Sequence, residues 1–201
     1  MKKVFSKIEE NKNDKKNKLL VSSFELFTKK GVNDTSVEEI TKKAGLAKGT
    51  FYLYFKDKYE LQDRLITKKS EQLFNEAIKK VSSMKDNNFD DEIIFIIDYI
   101  IDKLNKNKIL LKFISKNLSW GLYNKKVIKL IGEDEIGLKK LFIDKIKESK
   151  KELKNPEVTL YMIVELVGST CFSSIINKEP LPIEEYKSYL YSAVRALLNE
   201  K

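Results

Sequence analysis

The strongest constraint on this chain is an apolar spacing of helical period that runs almost from end to end, with few residues able to break it. Only seven glycines and three prolines are spread over 201 residues, too few for the many short turns of an all-β fold. No strand alternation of useful length and no internal repeat interrupts the pattern. The expectation is an all-α fold of about nine helices. A chain of 201 residues allows one large domain or two small ones, so a sizeable core is possible.

Local signals divide the chain. A first helix is expected from near Asp14, after a polar tail. Leu20, Phe24 and Phe27 fall at i, i+4 and i+7 within it, and Gly31 is placed to end it. Ser36 with Glu39 three residues later reads as a capping box for a short helix whose buried face is Val37, Ile40 and Ala44. Gly45 breaks that helix. A second short helix over about 47–55 follows, with Ala47, Phe51 and Phe55 spaced to face inward. Asp57 then caps a long helix to about residue 81, carrying Leu61, Leu65, Leu73, Ala77 and Val81 on one side. The polar segment 82–88 reads as a break. Beyond it helical segments are expected over 90–105 and 108–118, then a longer, interrupted stretch over about 125–151. Asn155-Pro156 and Pro182 are start signals for the last two, 156–176 and 182–200. The domain organisation expected is a tail and helix-turn-helix unit over 1–60 and a second unit over 61–201, linked by the helix at 57–81.

Composition narrows the chemistry. Histidine is absent and Cys171 is the single cysteine, which removes a Ser-His triad, a Cys-His pair, a histidine metal site and an intrachain disulfide. No glycine-rich phosphate loop and no acid–base pair is evident, so no enzyme, metal or other cofactor is expected. The net charge of +9 favours a polyanionic partner, nucleic acid or an anionic membrane surface. Residues 1–60 hold 14 basic against 9 acidic groups, more than half of that excess. The lysine-rich start (Lys2, Lys3, Lys7, Lys12, Lys15 and Lys16) can add nonspecific phosphate attraction, although a solubilising tail is the plainer reading. No apolar run follows those lysines, so no signal peptide is expected. The longest apolar stretch, 93–97 resumed at 99–101, is too short to span a bilayer. A cytoplasmic chain without a membrane partner is expected.

Two short helices joined by a tight glycine turn, after a longer supporting helix, fit helix-turn-helix geometry, in which the second short helix enters the major groove of DNA. With Ala47, Phe51 and Phe55 inward, Lys48, Gly49 and Tyr52 lie on the opposite side. Gly49 has no side chain to hold the helix off the bases. Lys48 can donate to guanine or to phosphate, and the hydroxyls of Thr50, Tyr52 and Tyr54 can bond phosphate oxygens. Lys58, in the first turn of the next helix, and the start of the helix capped by Thr35-Ser36 suit further phosphate contacts.

The run Thr35-Ser36-Val37…Ile40…Ala44-Gly45-Leu46-Ala47-Lys48-Gly49-Thr50-Phe51-Tyr52-Leu53-Tyr54-Phe55-Lys56-Asp57-Lys58-Tyr59-Glu60-Leu61 resembles the signature of TetR-family regulators over about residues 14–65. Departures are Thr41 where alanine is common, Ala47 where serine is usual, and Tyr59-Glu60. The alanine leaves the recognition helix without a side-chain N-cap. The resemblance implies a homodimer joined by its last two helices, here about 156–176 and 182–200. It also implies a palindromic double-stranded DNA operator, usually repressed, and a small-molecule effector, not identified by the sequence, that binds the C-terminal domain and releases the DNA. By position it places Thr35, Ser36, Lys48, Gly49, Thr50, Tyr52, Tyr54 and Lys58 at DNA. A nonspecific nucleic-acid or membrane-surface helical protein is the alternative that charge alone suggests.

In the C-terminal half the segment 156–176 carries only Glu157 and Glu165 as charges, so it is expected to be buried on nearly all faces by a subunit or a ligand pocket. Glu165, amid apolar neighbours, would be costly to bury without a partner. A cationic ligand, or a lysine or tyrosine across a dimer, would satisfy it. Phe95, Tyr99, Phe113, Trp120, Tyr123, Met162 and Phe172, with Glu165, form the candidate ligand set, against the plainer reading of aromatic residues as core. Asp98 and Asp102, in line with Asp91 and Asn105, read as a solvated edge. Cys171 reads as a small buried side chain.

Overall fold

A computed structural model of the chain describes residues 2–82, 88–114 and 137–199. Among these residues nine helices and no strand occur: α1 Lys2–Lys30, α2 Val37–Ala44, α3 Lys48–Tyr52, α4 Lys58–Val81, α5 Phe89–Lys106, α6 Lys108–Ile114, α7 Gly137–Ser149, α8 Pro156–Ile176 and α9 Ile183–Leu198. The fold is all-α. It divides into two compact units, Met1–Leu65 and Ile66–Lys201, and the division falls inside α4.

In the first unit α1 packs on α2 and α2 on α3. The first helix begins at Lys2 rather than near Asp14. Nothing in residues 2–13 breaks a helix, and elongating one already nucleated adds a hydrogen bond for each residue fixed. Its inward residues are Leu19, Leu20, Ser23 and Phe27, while Phe24 is half-buried. The Ser23 hydroxyl donates to the Leu19 carbonyl at 2.7 Å, which satisfies it in the core. Gly31 adopts φ +89° after the last turn, a left-handed geometry that other residues rarely take.

In the second unit α4 contributes Leu73, Phe74, Ala77 and Val81 to a core completed by α5 to α9. Helix α5 presents Ile93, Ile96, Ile97, Ile100, Ile101 and Leu104 inward. Its acidic residues, read from the sequence as a solvated edge, instead clamp α9. Arg195 reaches Asp91 at 2.6 Å, and Lys187 reaches Asp98 at 2.8 Å and Asp102 at 2.6 Å. The Tyr191 hydroxyl donates to Asp98. Ascending numbers on α5 meet descending numbers on α9, so the two run antiparallel. Burial works to raise the Asp98 pKa, but hydrogen bonds from Lys187 and Tyr191 outweigh it and hold the carboxyl below its ordinary value. Burial and the bond to Asp98 push the Tyr191 hydroxyl upward.

Helix α8 starts as its sequence signals: Asn155 caps it by accepting from the Val158 N–H at 3.2 Å, and Pro156 occupies the first turn. Pro182 is the residue before α9 rather than its first. By length and composition α8 could cross a membrane. It is packed instead as a core helix against α5, α6, α7 and α9. Cys171 on it is buried, which pushes its thiol up to about 12 and keeps it protonated and inert at neutral pH.

Candidate nucleic-acid interface

The helix-turn-helix is held by short-range hydrogen bonds. The Ser36 hydroxyl oxygen accepts the Glu39 N–H at 3.1 Å and Glu39 accepts the Ser36 N–H at 2.9 Å, the capping box in full. Lys30 adds an ion pair to Glu39 at 2.6 Å. That side-chain bond, then the bonds from Ser36, pull the Glu39 carboxyl down to about 2. Gly45 turns the chain at φ +66°, and Thr41, buried, donates to the Glu38 carbonyl at 3.1 Å. Val37 and Ala44 are half-buried, leaving Ile40 as the fully covered apolar residue of α2.

Phe51 and Phe55 anchor the recognition segment, their rings 5.5 Å apart and 0% and 1% exposed. Phe55 lies past the end of α3. Its N–H still donates to the Phe51 carbonyl at 3.0 Å, so the tight turn returns it to the core. Ala47 is exposed rather than inward. It is the N-cap, with extended φ −72°, ψ 148°, and no side-chain bond closes the helix start. Asp57 caps α4 by accepting from the Tyr59 and Glu60 N–H groups at 2.9 and 2.8 Å. Glu60 accepts from the Lys56 N–H at 2.7 Å and pairs with Arg64, whose guanidinium lies 5.2 Å from the Phe55 ring centre.

These anchors fix what remains outside. Lys48, Gly49 and Tyr52 are exposed on α3, Tyr52 by 55%, while Thr50 and Tyr54 are half-buried. A Cβ built at Gly49 meets nothing within 4 Å, so no internal packing calls for glycine there. Leu53, which the periodicity did not single out, is 80% exposed beside Tyr52. A leucine left outside by the Phe51–Phe55 spacing was the available signal, and an exposed apolar group can meet a thymine methyl.

Three of the residues placed at DNA by the sequence are engaged internally. Thr35 is 1% exposed and its hydroxyl donates to the Gly31 carbonyl at 2.7 Å, closing the α1–α2 turn. The Ser36 hydroxyl is held by Glu39, whose carboxylate already supplies negative charge at the start of α2. Lys58 donates to the carbonyls of Asn33 and Thr35 at 2.8 and 3.0 Å and tethers that turn to α4. An ammonium has three donors, so one is left for an anion.

Of the candidate ligand set, Phe95, Tyr99, Phe113 and Phe172 are half-buried against the core, and Trp120 and Tyr123 lie outside the described residues. Met162 and Glu165 are exposed on α8. Within a single chain Glu165 therefore meets no burial cost, which would arise only where something else covers this face of α8. Among the described residues no group of three or more acidic or cysteine side chains is arranged to hold a metal ion.

Residues 19–65 match the family described as bacterial regulatory proteins, tetR family. Over 86 residues the chain is 33% identical to an uncharacterized HTH-type transcriptional regulator of Bacillus subtilis, YvdT. That match covers 43% of this chain and 41% of YvdT, so the chain spans less than half the length of that curated relative. Solved structures resemble the whole fold. A TetR-family regulator from Syntrophomonas wolfei superposes with a TM-score of 0.67 at 19% identity, covering 94% of this chain and 96% of that one. FadR from Bacillus subtilis, solved in complex with stearoyl-CoA, superposes with a TM-score of 0.62 at 17% identity, covering 88% and 96%.

Proposed function

We propose that the chain, whose residues 19–65 match the tetR family of bacterial regulatory proteins, is a DNA-binding transcriptional regulator of that family and acts as a dimeric repressor that a small molecule releases from a palindromic operator. The observation that carries the DNA-reading half is the outer face of α3. Lys48, Gly49, Tyr52 and Leu53 are exposed, and the space beside Gly49 is open. In this reading Lys48 meets a base edge or phosphate, Gly49 lets the backbone approach, and Thr50, Tyr52 and Tyr54 supply hydroxyls to the phosphates. Thr35, Ser36 and two of the Lys58 donors hold the frame.

We assign DNA binding to the first unit and dimerisation and ligand binding to the second. Support for the dimer comes from the outer sides of α8 and α9. Val158, Tyr161 and Met162 follow the i, i+3, i+4 spacing of one helix face and are 49%, 45% and 36% exposed, and Tyr189 on α9 is 66% exposed. A second copy covering these faces would remove a large apolar patch from water and would bring Glu165 into the interface. Release then follows if ligand binding moves α4, which crosses from one unit to the other. The two recognition helices would lose the separation of roughly 34–36 Å that fits successive major grooves. That FadR, which shares this fold, is solved with stearoyl-CoA supports a ligand-responsive reading of this chain. Such a regulator works in the cytoplasm, where the chromosome is.

The test is a gel shift on the promoter region of the chain's own gene with random-sequence competitor at about 150 mM salt, where nonspecific binding is mostly counterion release. Competitor-resistant binding by dimer units is expected, and binding lost equally to random DNA would overturn the specific reading. Met162→Glu with Tyr189→Glu should shift sedimentation from dimer to monomer.

A further inference from the structure

Inside the second unit lies a cavity of about 40 Å³ lined only by apolar side chains. Its walls are two helical stripes. Ile93, Ile96, Ile97 and Ile100 come from α5, residues from Leu160 to Val167 at the same spacing come from α8, and Phe74 and Leu138 close the sides. Each stripe covers about 10 Å at 1.5 Å per residue, so the walls are long while the void is narrow. It is smaller than the 150 Å³ or so that accepts a benzene ring. A ring and an alkyl tail both exceed it, so either must part the two packed stripes, and a chain, being narrower in cross-section than a ring, parts them less. A polar or charged group in the cavity would find no hydrogen-bond partner on the walls and would lose its hydration uncompensated.

A second observation indicates where a polar group would go. Among the described residues the hydroxyls of Ser70 and Ser174 are buried and without a hydrogen-bond partner. Such groups carry a desolvation penalty and are rare in native structures. Ser70 stands one turn before Phe74 on the same face of α4, so it lies just beyond one of the walls.

Resting on the ligand-released reading above, we propose that this cavity takes the tail of a linear, saturated amphiphile, an alkyl or acyl chain, with the Ser70 hydroxyl as a hydrogen-bond partner of its polar head. The aromatic set read from the sequence would favour planar or cationic effectors; the apolar lining selects against a cation, and the narrow gap between the stripes against a rigid plane.

The test is titration calorimetry of the full-length protein with alkanoates and 1-alkanols of six to twelve carbons, kept below micellar concentrations, and with the planar aromatic cation ethidium as the rival. Affinity should rise by up to about fourfold per methylene in both series, the value of burying one CH₂. Val164→Phe, which fills the cavity, should weaken dodecanoate at least tenfold. Ser70→Ala should weaken dodecanoate and dodecanol three- to tenfold and leave the chain-length increment unchanged. If Val164→Phe does not fold, Val167→Ala, which only enlarges the cavity, should shift the preference to longer chains. Affinity independent of chain length, or ethidium bound in competition with dodecanoate, would overturn the proposal, and an unaltered head response in Ser70→Ala would overturn its serine half. Dodecanoate against its coenzyme A thioester separates a free acid from an activated one as the source. A gel shift run alongside keeps the two readings apart. Chains that bind without releasing operator sink the release mechanism and leave the site standing, whereas operator binding without chain binding sinks the site alone.

Discussion

The two units of this molecule hold themselves together over very different distances along the chain. In the first, the decisive polar bonds join near neighbours: Ser36 to Glu39, Thr35 to Gly31, Asp57 to Glu60, Glu60 to Arg64. In the second they join residues about a hundred positions apart, Asp98 with Tyr191 and Asp91 with Arg195. A cap works on its own helix end whatever packs nearby, while a clamp such as Lys187 exists only after α5 and α9 have met. The first unit leaves Lys48, Gly49, Tyr52 and Leu53 exposed; the second turns an apolar, mostly aliphatic face inward.

The largest effect should come from Phe51→Ala, which empties a fully buried aromatic site. A loss of about 3–5 kcal/mol is expected, read as collapse of amide protection in α2 and α3 and loss of operator binding. Protection surviving in those helices would mean that the caps, not the aromatic anchor, carry this unit. Lys48→Ala should cost about 1–3 kcal/mol on operator but not on scrambled DNA if it reads a base, and weaken both equally if it touches only phosphate. No loss on either would remove Lys48 from the interface.

Lys187→Met tests the long-range clamp. It leaves Asp98 and Asp102 without their shared cation, and a cost of about 1–2 kcal/mol in urea unfolding is expected, modest because both carboxylates are nearly half exposed. An unchanged urea midpoint would show that α9 is held by its apolar face alone.

Gly49→Ala should act with opposite signs on fold and function. The helix gains about 0.5–1 kcal/mol, since the added methyl meets nothing, while operator affinity falls because that methyl now stands between backbone and bases. Affinity unchanged by the methyl would disprove close backbone approach.

The smallest effect is the acid response of the capping box. The folded-state pKa of Glu39 is depressed from 4.5 to about 2. Its contribution is therefore complete above about pH 4.5 and is lost as pH falls toward 2. Exchange protection of α2 should decline across that window in the wild type and show no such step in Glu39→Gln. The same step in the variant would assign it to another group.

Sequence pattern specifies the structure best where the determinants lie within a few residues of one another. Ser36-x-x-Glu39, Gly31, Gly45, the Asp57 cap and the Asn155-Pro156 start all appear as written. The inward spacing of Leu61, Leu65, Leu73, Ala77 and Val81 on α4 does too. Pattern specifies less where a residue has several possible partners. Ala47 shares the spacing of Phe51 and Phe55, yet as N-cap it lies outside the helical rotation and faces water. Lys58 has the place and charge of a phosphate contact, but two nearby carbonyls take two of its three donors.

What the sequence determined by itself was the helical class, most of the helix ends and the place of the helix-turn-helix. Those follow from periodicity, caps and left-handed glycines acting over one or two turns. Only the tertiary structure decided which side of α5 meets α9, that its aspartates are paired, that Glu165 is exposed on the single chain, and that the cavity is lined by aliphatic side chains with Phe74. Each of these depends on which distant helix covers a given face, and an amphipathic pattern specifies that a face is to be covered without specifying by what.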